Sequence, residues 1–459
     1  MKIKSEHLGY LCKYDKKEKE NKPKEERLIQ PQPQNPINSN QNQTEIKQIQ
    51  PVLQIQENKS ITKIFNLAPK IGLQNVGATC YMNATIQCLG QILKLVDYFR
   101  LNPHVEQIIT EYNSKNEDCL TESFKYLIEN LWPTDNKYIN PSYNLKNSNN
   151  NYFVPQEFKE KISKMNPLFE GVKANDSKDL VNFIIMRLHE ELNEGSKYES
   201  NFSPSQEDEM AMFNFFKESY YKENKSIISD LFYGINGTQY QCSQCQTKKY
   251  NYQIGFFYIF PLEEVRKFKI ENLQKNMQQQ MQQMAQMQFM NMNMNMNFML
   301  MCQPYFSSIQ NINSVTIKDC FDFNQKIETM AGENSMYCNI CKRQETAFYQ
   351  SYIVNAPEII IIILNRGKGI EFNVKLEFYE FINIRDYVRC NDSPFNFKLI
   401  GVVAHFGENG ANGHFMAYCR SPIDDKWYNY NDDLCFLVKN FQQEIINTAM
   451  PYILFDQKI

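Results

Sequence analysis

Apolar positions along the chain change their period partway through. From Tyr81 onward, Ile86, Leu89, Leu93 and Val96 recur at three- and four-residue steps, the spacing of an amphipathic helix. The same spacing returns between Ser177 and Leu192, where Leu180, Ile184, Leu188 and Leu192 recur every four residues. Residues 67–200 therefore read mainly as helix. From Leu231 onward β-branched and aromatic runs take over, at Tyr250–Phe260, Ile359–Leu364, Phe397–Val403, His414–Arg420 and Lys426–Tyr430. These predict strands. A helix-rich half followed by a strand-rich half predicts an α+β fold. No internal repeat is present.

Two stretches follow neither period. Residues 1–66 are Lys/Glu-rich and then Gln/Asn/Pro-rich. So little apolar surface cannot offset the entropy of ordering, and a disordered tail is expected there. The tract 273–301 is dominated by Gln, Met and Asn and includes the run Asn291–Asn297, which has neither charge nor turn residues. It is expected to be a disordered low-complexity insertion, with a Met-rich strand or aggregation-prone segment as the other reading. The globular domain is expected over residues 67–457.

Composition narrows the class. A net charge of -3 over 459 residues leaves no basic surplus, so nucleic acid is not an expected partner. Nothing near Met1 resembles a secretory signal. The most apolar run, Ile359–Leu364, is far too short to span a bilayer, so no membrane partner is expected either. Thirteen cysteines, an odd number in a large chain without a signal peptide, point to metal-binding or catalytic use over disulfides. A cytoplasmic or nuclear location is expected.

One cysteine stands where a nucleophile would. In Gly72-Leu-Gln-Asn-Val-Gly-Ala-Thr-Cys80-Tyr-Met-Asn83, Cys80 falls at the first turn of the first predicted helix. Unpaired N–H groups and the helix dipole stabilise a thiolate at such a position. A thiol nucleophile needs a base and a group to orient it, and the chain has five histidines. His7 lies in the tail, His104 in a Pro-flanked linker-like segment, and His189 on the expected exposed side of a helix. His405 and His414 flank the glycine-rich loop 406–413, whose glycines are expected to let it move as a cover. His414 opens one predicted strand, and Trp427-Tyr-Asn-Tyr-Asn431-Asp432 forms another. If the two pair as a hairpin, Asn431 or Asp432 lies beside His414 and can accept from its ring N–H.

Two C-x-x-C pairs, Cys242/Cys245 and Cys338/Cys341, can supply the four thiolates of a closed tetrahedral zinc site. The 92 residues between the pairs do not forbid it. Lengthening such a loop about fivefold costs only ~1.4 kcal/mol, against about 10–16 kcal/mol from structural zinc binding. Four thiolates leave no open position, so the zinc would be structural.

The segment Gly72–Asn83 resembles the cysteine box of the ubiquitin-specific protease family of deubiquitinases, which are papain-like cysteine peptidases. Gly413–Arg420 followed by Trp427–Asp432 resembles that family's histidine box. Asn175-Asp176-Ser-Lys-Asp179-Leu resembles an element lying between them, and Ala449–Phe455 resembles the closing strand. The resemblance covers residues 68–456 and implies a helical thumb, an antiparallel palm sheet and zinc-stapled fingers that carry the low-complexity insertion. It implies Cys80 as nucleophile, His414 as base, Asn431 as orienting group with Asp432 as a possible substitute, and Asn75 as oxyanion donor. It implies zinc on Cys242, Cys245, Cys338 and Cys341. Ubiquitin and ubiquitinated proteins become the expected partners, with Asp176, Asp179, Tyr81 and Phe415 along the channel for ubiquitin's arginine-bearing, glycine-ended tail. A catalytically silent ubiquitin-binding scaffold and a protease for another ubiquitin-like modifier are the competing readings. The chain departs from the family pattern at Lys178 and Leu180, where His and Phe are usual, at Phe415 in place of Tyr, and at Gly367, where an aromatic is usual.

Overall fold

The computed structural model describes residues 70–133, 151–200, 202–288, 311–367, 369–390, 395–407 and 413–459. Every described residue belongs to one compact unit. His7 and the expected tail lie outside the described residues.

The helical region carries β1 (Ile71–Leu73), α1 (Cys80–Leu89), α2 (Leu93–Leu101), α3 (Pro103–Lys115) and α4 (Leu120–Leu131). It continues through β2 (Asn151–Phe153), which pairs in parallel with β1, then α5 (Gln156–Met165), α6 (Ser177–Leu192), α7 (Glu209–Glu223) and α8 (Ile227–Phe232). The helix expected to run through Val96 stops at Leu89. Gly90 closes it, with its carbonyl accepting from Trp132 Nε1 at 2.8 Å, and Leu93 and Val96 belong to α2. Nor is α1 amphipathic, because all its residues are buried. Its polar side chains bond inward, Thr85 Oγ1 to the Tyr81 carbonyl (2.8 Å) and Gln87 Nε2 to the Ile71 carbonyl (2.9 Å). A helix surrounded on every side is a core element.

Two histidines sit elsewhere than expected. His104 is in α3, not a linker: Pro103 takes the first helical position, and the Asn102 side chain caps the end by accepting from His104 N. His189 is half-buried where α6 meets the start of α8, its Nδ1 2.8 Å from Ser226 Oγ and its ring against Tyr233.

The strand region holds β3 (Gly234–Cys242), β4 (Lys248–Gly255) and β5 (Tyr258–Pro261), then α9 (Leu262–Gln288), α10 (Ile317–Asn324), β6 (Glu328–Met330) and β7 (Ala347–Asn355). It ends with β8 (Ile359–Asn365), β9 (Asn396–Phe406), β10 (His414–Arg420), β11 (Trp427–Asn431), β12 (Leu434–Leu437) and β13 (Pro451–Lys458). The strand expected over Tyr250–Phe260 is split between two sheets. Gly255 crowds Asn236, Phe256 packs on Tyr233 at 5.5 Å, and the chain turns there. A four-stranded fingers sheet runs β4-β3-β7-β6, and an eight-stranded palm sheet runs β12-β11-β10-β9-β13-β8-β5 with Phe381–Asn383 paired to β9. Within the palm only β5 and β8 pair in parallel.

The palm is packed on both faces. On one, Ile360, Ile362, Val402 and Leu454 join Phe260 and Phe321 in a single buried cluster. On the other lies α1, so close that a Cβ on Gly401 of β9 would stand 3.2 Å from Cys88 Sγ. The fold is thus α+β, with a helical thumb, an antiparallel palm and fingers. The first half of the Gln/Met/Asn tract is helical: α9 runs through Gln288, seated on the palm side by Leu262 and Val265 and by Phe268 against Phe323, with most of the tract's described side chains exposed. Gln and Met are good helix formers and Asn is not. The Asn-rich part, from Asn291, lies outside the described residues. No helix among the described residues is long and apolar enough to cross a membrane.

The tight seat of α1 gives a measurable coupling. Gly401→Ala is expected to destabilise the fold by about 1–3 kcal/mol in urea unfolding, the usual cost of overpacking. Combining it with Cys88→Ala should cost less than the sum of the two single changes, because removing the sulfur relieves the nearest of the contacts that an added Cβ would meet.

Candidate active site

The chain enters α1 through a turn in which Gly77 (φ 119) and Ala78 (φ 49) both adopt left-handed backbone. Asn75 ties the turn together. Its Oδ1 accepts from Gly77 N at 3.2 Å, Thr79 N at 3.0 Å and Thr79 Oγ1 at 3.3 Å. Cys80 follows as the first residue of α1, buried beneath the cleft at 7% exposure. Its N–H is among those a helix leaves without an internal partner, at the end where the dipole favours negative charge.

The opposite wall is the β10–β11 hairpin. Ala417 pairs with Tyr430 and Arg420 with Trp427, which brings Asn431 alongside the start of β10. His414 Nε2 lies 2.6 Å from Asn431 Oδ1. A carboxamide oxygen only accepts, so Nε2 carries the proton and Nδ1 is the nitrogen free to take another. Contact with Cys80 is the largest cause of the raised His414 pKa, about 9; burial opposes it and Asn431 adds to it.

Asn431 and Asp432, both open as orienting groups from sequence, do different things. Asp432 has left-handed backbone (φ 50) and its carboxylate meets the helical side of the cleft. Oδ1 accepts from Asn83 Nδ2 at 2.8 Å, and Oδ2 accepts from Asn75 Nδ2 at 3.0 Å. Its carbonyl accepts from Leu73 N at 2.7 Å. The approach leaves no room for a side chain at Gly72, where a Cβ would lie 2.3 Å from the Asp433 carbonyl. Asn75 therefore keeps one carboxamide N–H for another acceptor. Asn83 had not been singled out from sequence; its one signal was its place at the end of the cysteine motif.

The expected channel residues divide. Tyr81 is fully buried, its ring stacked on Phe169 and its hydroxyl accepting from Asn175 Nδ2 at 3.4 Å. It supports the wall from behind and has no surface to offer a substrate. Asp176 caps α6: Oδ1 accepts from Lys178 N at 2.9 Å, and Oδ2 accepts from Tyr452 OH at 2.7 Å and pairs with Lys178 Nζ at 3.1 Å. Asp179, half-buried in the first turn of α6, has a pKa raised by burial and by Asp176. Phe415 is half-buried, its ring 4.7 Å from His405 and 5.3 Å from Tyr452. Phe372, five residues beyond Gly367, is buried against the Arg366 guanidinium and the His405 ring. Tyr452 joins β13 to the cap of α6, a role that its place in the closing strand did not reveal. Gly410 and most of the loop expected to cover the channel lie outside the described residues.

At the far end of the fingers, Cys242, Cys245, Cys338 and Cys341 bring their sulfurs within 4.8 Å of one another. Cys242–Cys341 is 4.0 Å and Cys245–Cys338 is 3.4 Å. Sulfurs about 2.3 Å from a tetrahedral Zn²⁺ stand about 3.8 Å apart, so the group's chemistry and spacing fit a metal ion with shifts of at most about 1 Å. The two pairs sit on matching knuckles, closed by Gln246 N to the Cys242 carbonyl (3.0 Å) and Lys342 N to the Cys338 carbonyl (2.8 Å). Gln246 and Lys342 are both left-handed.

A family model described as ubiquitin carboxyl-terminal hydrolase matches residues 71–455. Ubiquitin carboxyl-terminal hydrolase 2 of Bos taurus is 23% identical over 396 residues, covering 84% of this chain and 54% of that protein. Ubiquitin carboxyl-terminal hydrolase 4 of Eremothecium gossypii is 24% identical over 432 residues, covering 88% and 44%. The chain thus spans about half the length of the curated relatives it matches. Among solved structures, the SAGA Ubp8/Sgf11/Sus1/Sgf73 DUB module bound to ubiquitin aldehyde aligns with a TM-score of 0.51 at 17% identity, covering 86% of this chain and 70% of that one.

The His414 contacts set a pH dependence. With a folded pKa of about 9 above the ordinary value near 6.5, protonated His414 stabilises the fold fully below about pH 6.5. That contribution is lost as pH rises through about 9. In Cys80→Ala the largest cause is gone, so the His414 ring resonances should titrate at lower pH in NMR. An unchanged titration would mean that Cys80 does not set the imidazole's affinity for its proton.

Proposed function

The chain belongs to the ubiquitin carboxyl-terminal hydrolase family, among the ubiquitin-specific proteases, and from that premise we propose that it is a cysteine-type deubiquitinase hydrolysing the isopeptide or peptide bond after ubiquitin's C-terminal glycine. The observation that carries this reading is the meeting of Cys80, at a helix N-terminus, with an imidazole whose other nitrogen is held 2.6 Å from Asn431 Oδ1. Ubiquitin and its conjugates are the substrates of this reading.

Cys80 Sγ attacks the glycine carbonyl carbon as the thiolate, its proton already held on His414 Nδ1. The carbonyl oxygen becomes an oxyanion, stabilised by the Cys80 N–H and the remaining carboxamide N–H of Asn75. A side-chain donor of this kind contributes about 2.7–4 kcal/mol to the barrier. The C–N bond then breaks, and the leaving amine takes the proton from His414. This leaves a thioester between Cys80 and ubiquitin. Water gives a proton to His414 as it attacks the thioester, and Cys80 departs as the thiolate again when the ubiquitin carboxylate is released. Asn431 keeps Nε2 protonated throughout. Asp432 acts through Asn75, holding its carboxamide so that one N–H points away from the carboxylate. Phe415 and Asp179 are the remaining channel residues of this reading.

The four-cysteine group is read as a structural zinc site. Cys242, Cys245, Cys338 and Cys341 would hold the ion, which joins the two knuckles at the tip of the fingers and takes no part in hydrolysis. Elemental analysis should find about one zinc per chain. Cys338→Ser should lose it and lower the melting temperature, whereas Cys80→Ala should keep its zinc.

The activity is tested with ubiquitin carrying an electrophile at its C-terminus. The expected outcome is a covalent adduct on the wild-type chain and none on Cys80→Ala. No adduct on the wild type would overturn the activity and favour a silent ubiquitin-binding scaffold. Labelling only by a probe built on another ubiquitin-like modifier would reassign the substrate. For Asn75→Ala, kcat should fall on the order of a hundredfold.

A further inference from the structure

The N-terminus of α6 stands between the two walls of the cleft. Asn175 Nδ2 bonds the hydroxyl of Tyr81, the residue after the nucleophile. Asp176 Oδ2 accepts from Tyr452 OH, and the Tyr452 ring lies 5.3 Å from Phe415, the residue after the base. On the proposed function, a peptide tail directed to Cys80 would pass this helix end. A helix N-terminus favours anions, so a cation in its first turn is out of place unless it is paired. Lys178 is such a cation. Its Nζ lies 3.1 Å from Asp176 Oδ2, with the lysine side chain 36% exposed and the carboxylate 25% exposed.

Both oxygens of Asp176 are therefore engaged from within the chain, and its charge is matched by an internal ammonium. Asp179, one turn further in, has no ion pair or hydrogen bond among the described residues; burial and then Asp176 raise its pKa, and Lys178 opposes them only as a more distant charge. The two carboxylates thus differ in what they can offer an arriving cation. We propose that Lys178 is a specificity-determining residue that occupies the cation subsite at Asp176 and so weakens binding of a substrate tail that carries arginine there. The inference rests on the reading of this cleft as the channel for ubiquitin's C-terminal tail.

Lys178 is partly exposed, so its competition is that of a solvent-screened pair. Its removal should change affinity on the order of fivefold, the upper range for such pairs. The test uses the full chain and ubiquitin bearing a fluorogenic amide at its C-terminus. Lys178→Gln should lower KM about fivefold while kcat stays within about twofold. Lys178→Arg, which restores the charge, should return KM to the wild-type value. With a ubiquitin whose tail arginines are replaced by glutamine, Lys178→Gln and wild type should have the same KM. A merely structural role for Lys178 would instead shift KM or kcat equally for both ubiquitins. Such an equal shift, or a KM indifferent to Lys178 with native ubiquitin, overturns this proposal alone. No turnover by the wild-type chain overturns it together with the proposed activity.

Discussion

One aspartate holds the two walls of the cleft in register. Cys80 and His414 are more than three hundred residues apart, on a helix and a strand that share no hydrogen-bond ladder. Asp432 ties the helix, the strand before it and the hairpin to one another. Its carboxylate takes Asn83 on α1 and Asn75 in the turn before Cys80, and its carbonyl takes Leu73 on β1. Left-handed backbone at a non-glycine residue costs roughly 1–2 kcal/mol, and aspartate is among the residues that tolerate it. The bond from the buried Asn83 to a carboxylate, about 1.5–3 kcal/mol, is enough to hold that conformation. The arrangement also requires Gly72, whose missing side chain lets β1 touch the hairpin turn.

Behind this stitch, the palm sheet gives both walls a common base. α1 is buried on all sides and lies directly over Gly401, where Cys88 fills the space that a side chain would otherwise take. Cys419, on the strand that begins with His414, puts its sulfur 3.7 Å from Cys88 Sγ. The helix that positions the nucleophile is therefore packed against the strand that positions the base, with small sulfur-bearing side chains between them. Interiors at this packing density transmit small displacements. The fingers are built differently. Their tip has little apolar core, with Tyr337 and Ile340 exposed, and its two knuckles come together at the cysteine sulfurs.

What the sequence made legible were features whose chemistry is local. Cys80 at the head of a helix and the β10–β11 hairpin follow from short motifs and strand alternation, which left Asn431 and Asp432 both open beside His414. The all-buried strand at Ile359–Leu364 follows from composition. The readings that changed were those that depended on partners distant in the chain. Tyr81 was expected to meet substrate, but Phe169 and Asn175 cover it. Asp176 was expected along the channel, and Tyr452 and Lys178 engage its carboxylate, Tyr452 from a strand far along the chain. The helix expected through Val96 breaks at Gly90, where the indole of Trp132 reaches its carbonyl. The Gln/Met/Asn tract changed only in its described part. Its composition suggested disorder, yet its Gln- and Met-rich part carries helix propensity that continues α9.

Sequence alone left two histidines bracketing one glycine-rich loop, and their surroundings separate them physically. His405 is buried at the end of β9, ringed by Phe372, Phe415 and Tyr452, and its pKa is lowered by desolvation, with nearby Arg366 acting in the same direction. His414 is held up by Cys80 and Asn431. Adjacent imidazoles with opposite shifts mark a division of labour, because each environment favours one protonation state. The neutral ring at His405 adds no second positive charge beside His414, and its coupling to His414 is repulsive when both are protonated. Gly413 makes this proximity possible, since a Cβ there would lie 2.3 Å from His405 Cε1. The glycine that opens the histidine motif thus packs one imidazole against the turn that presents the other, and only the second faces a thiol.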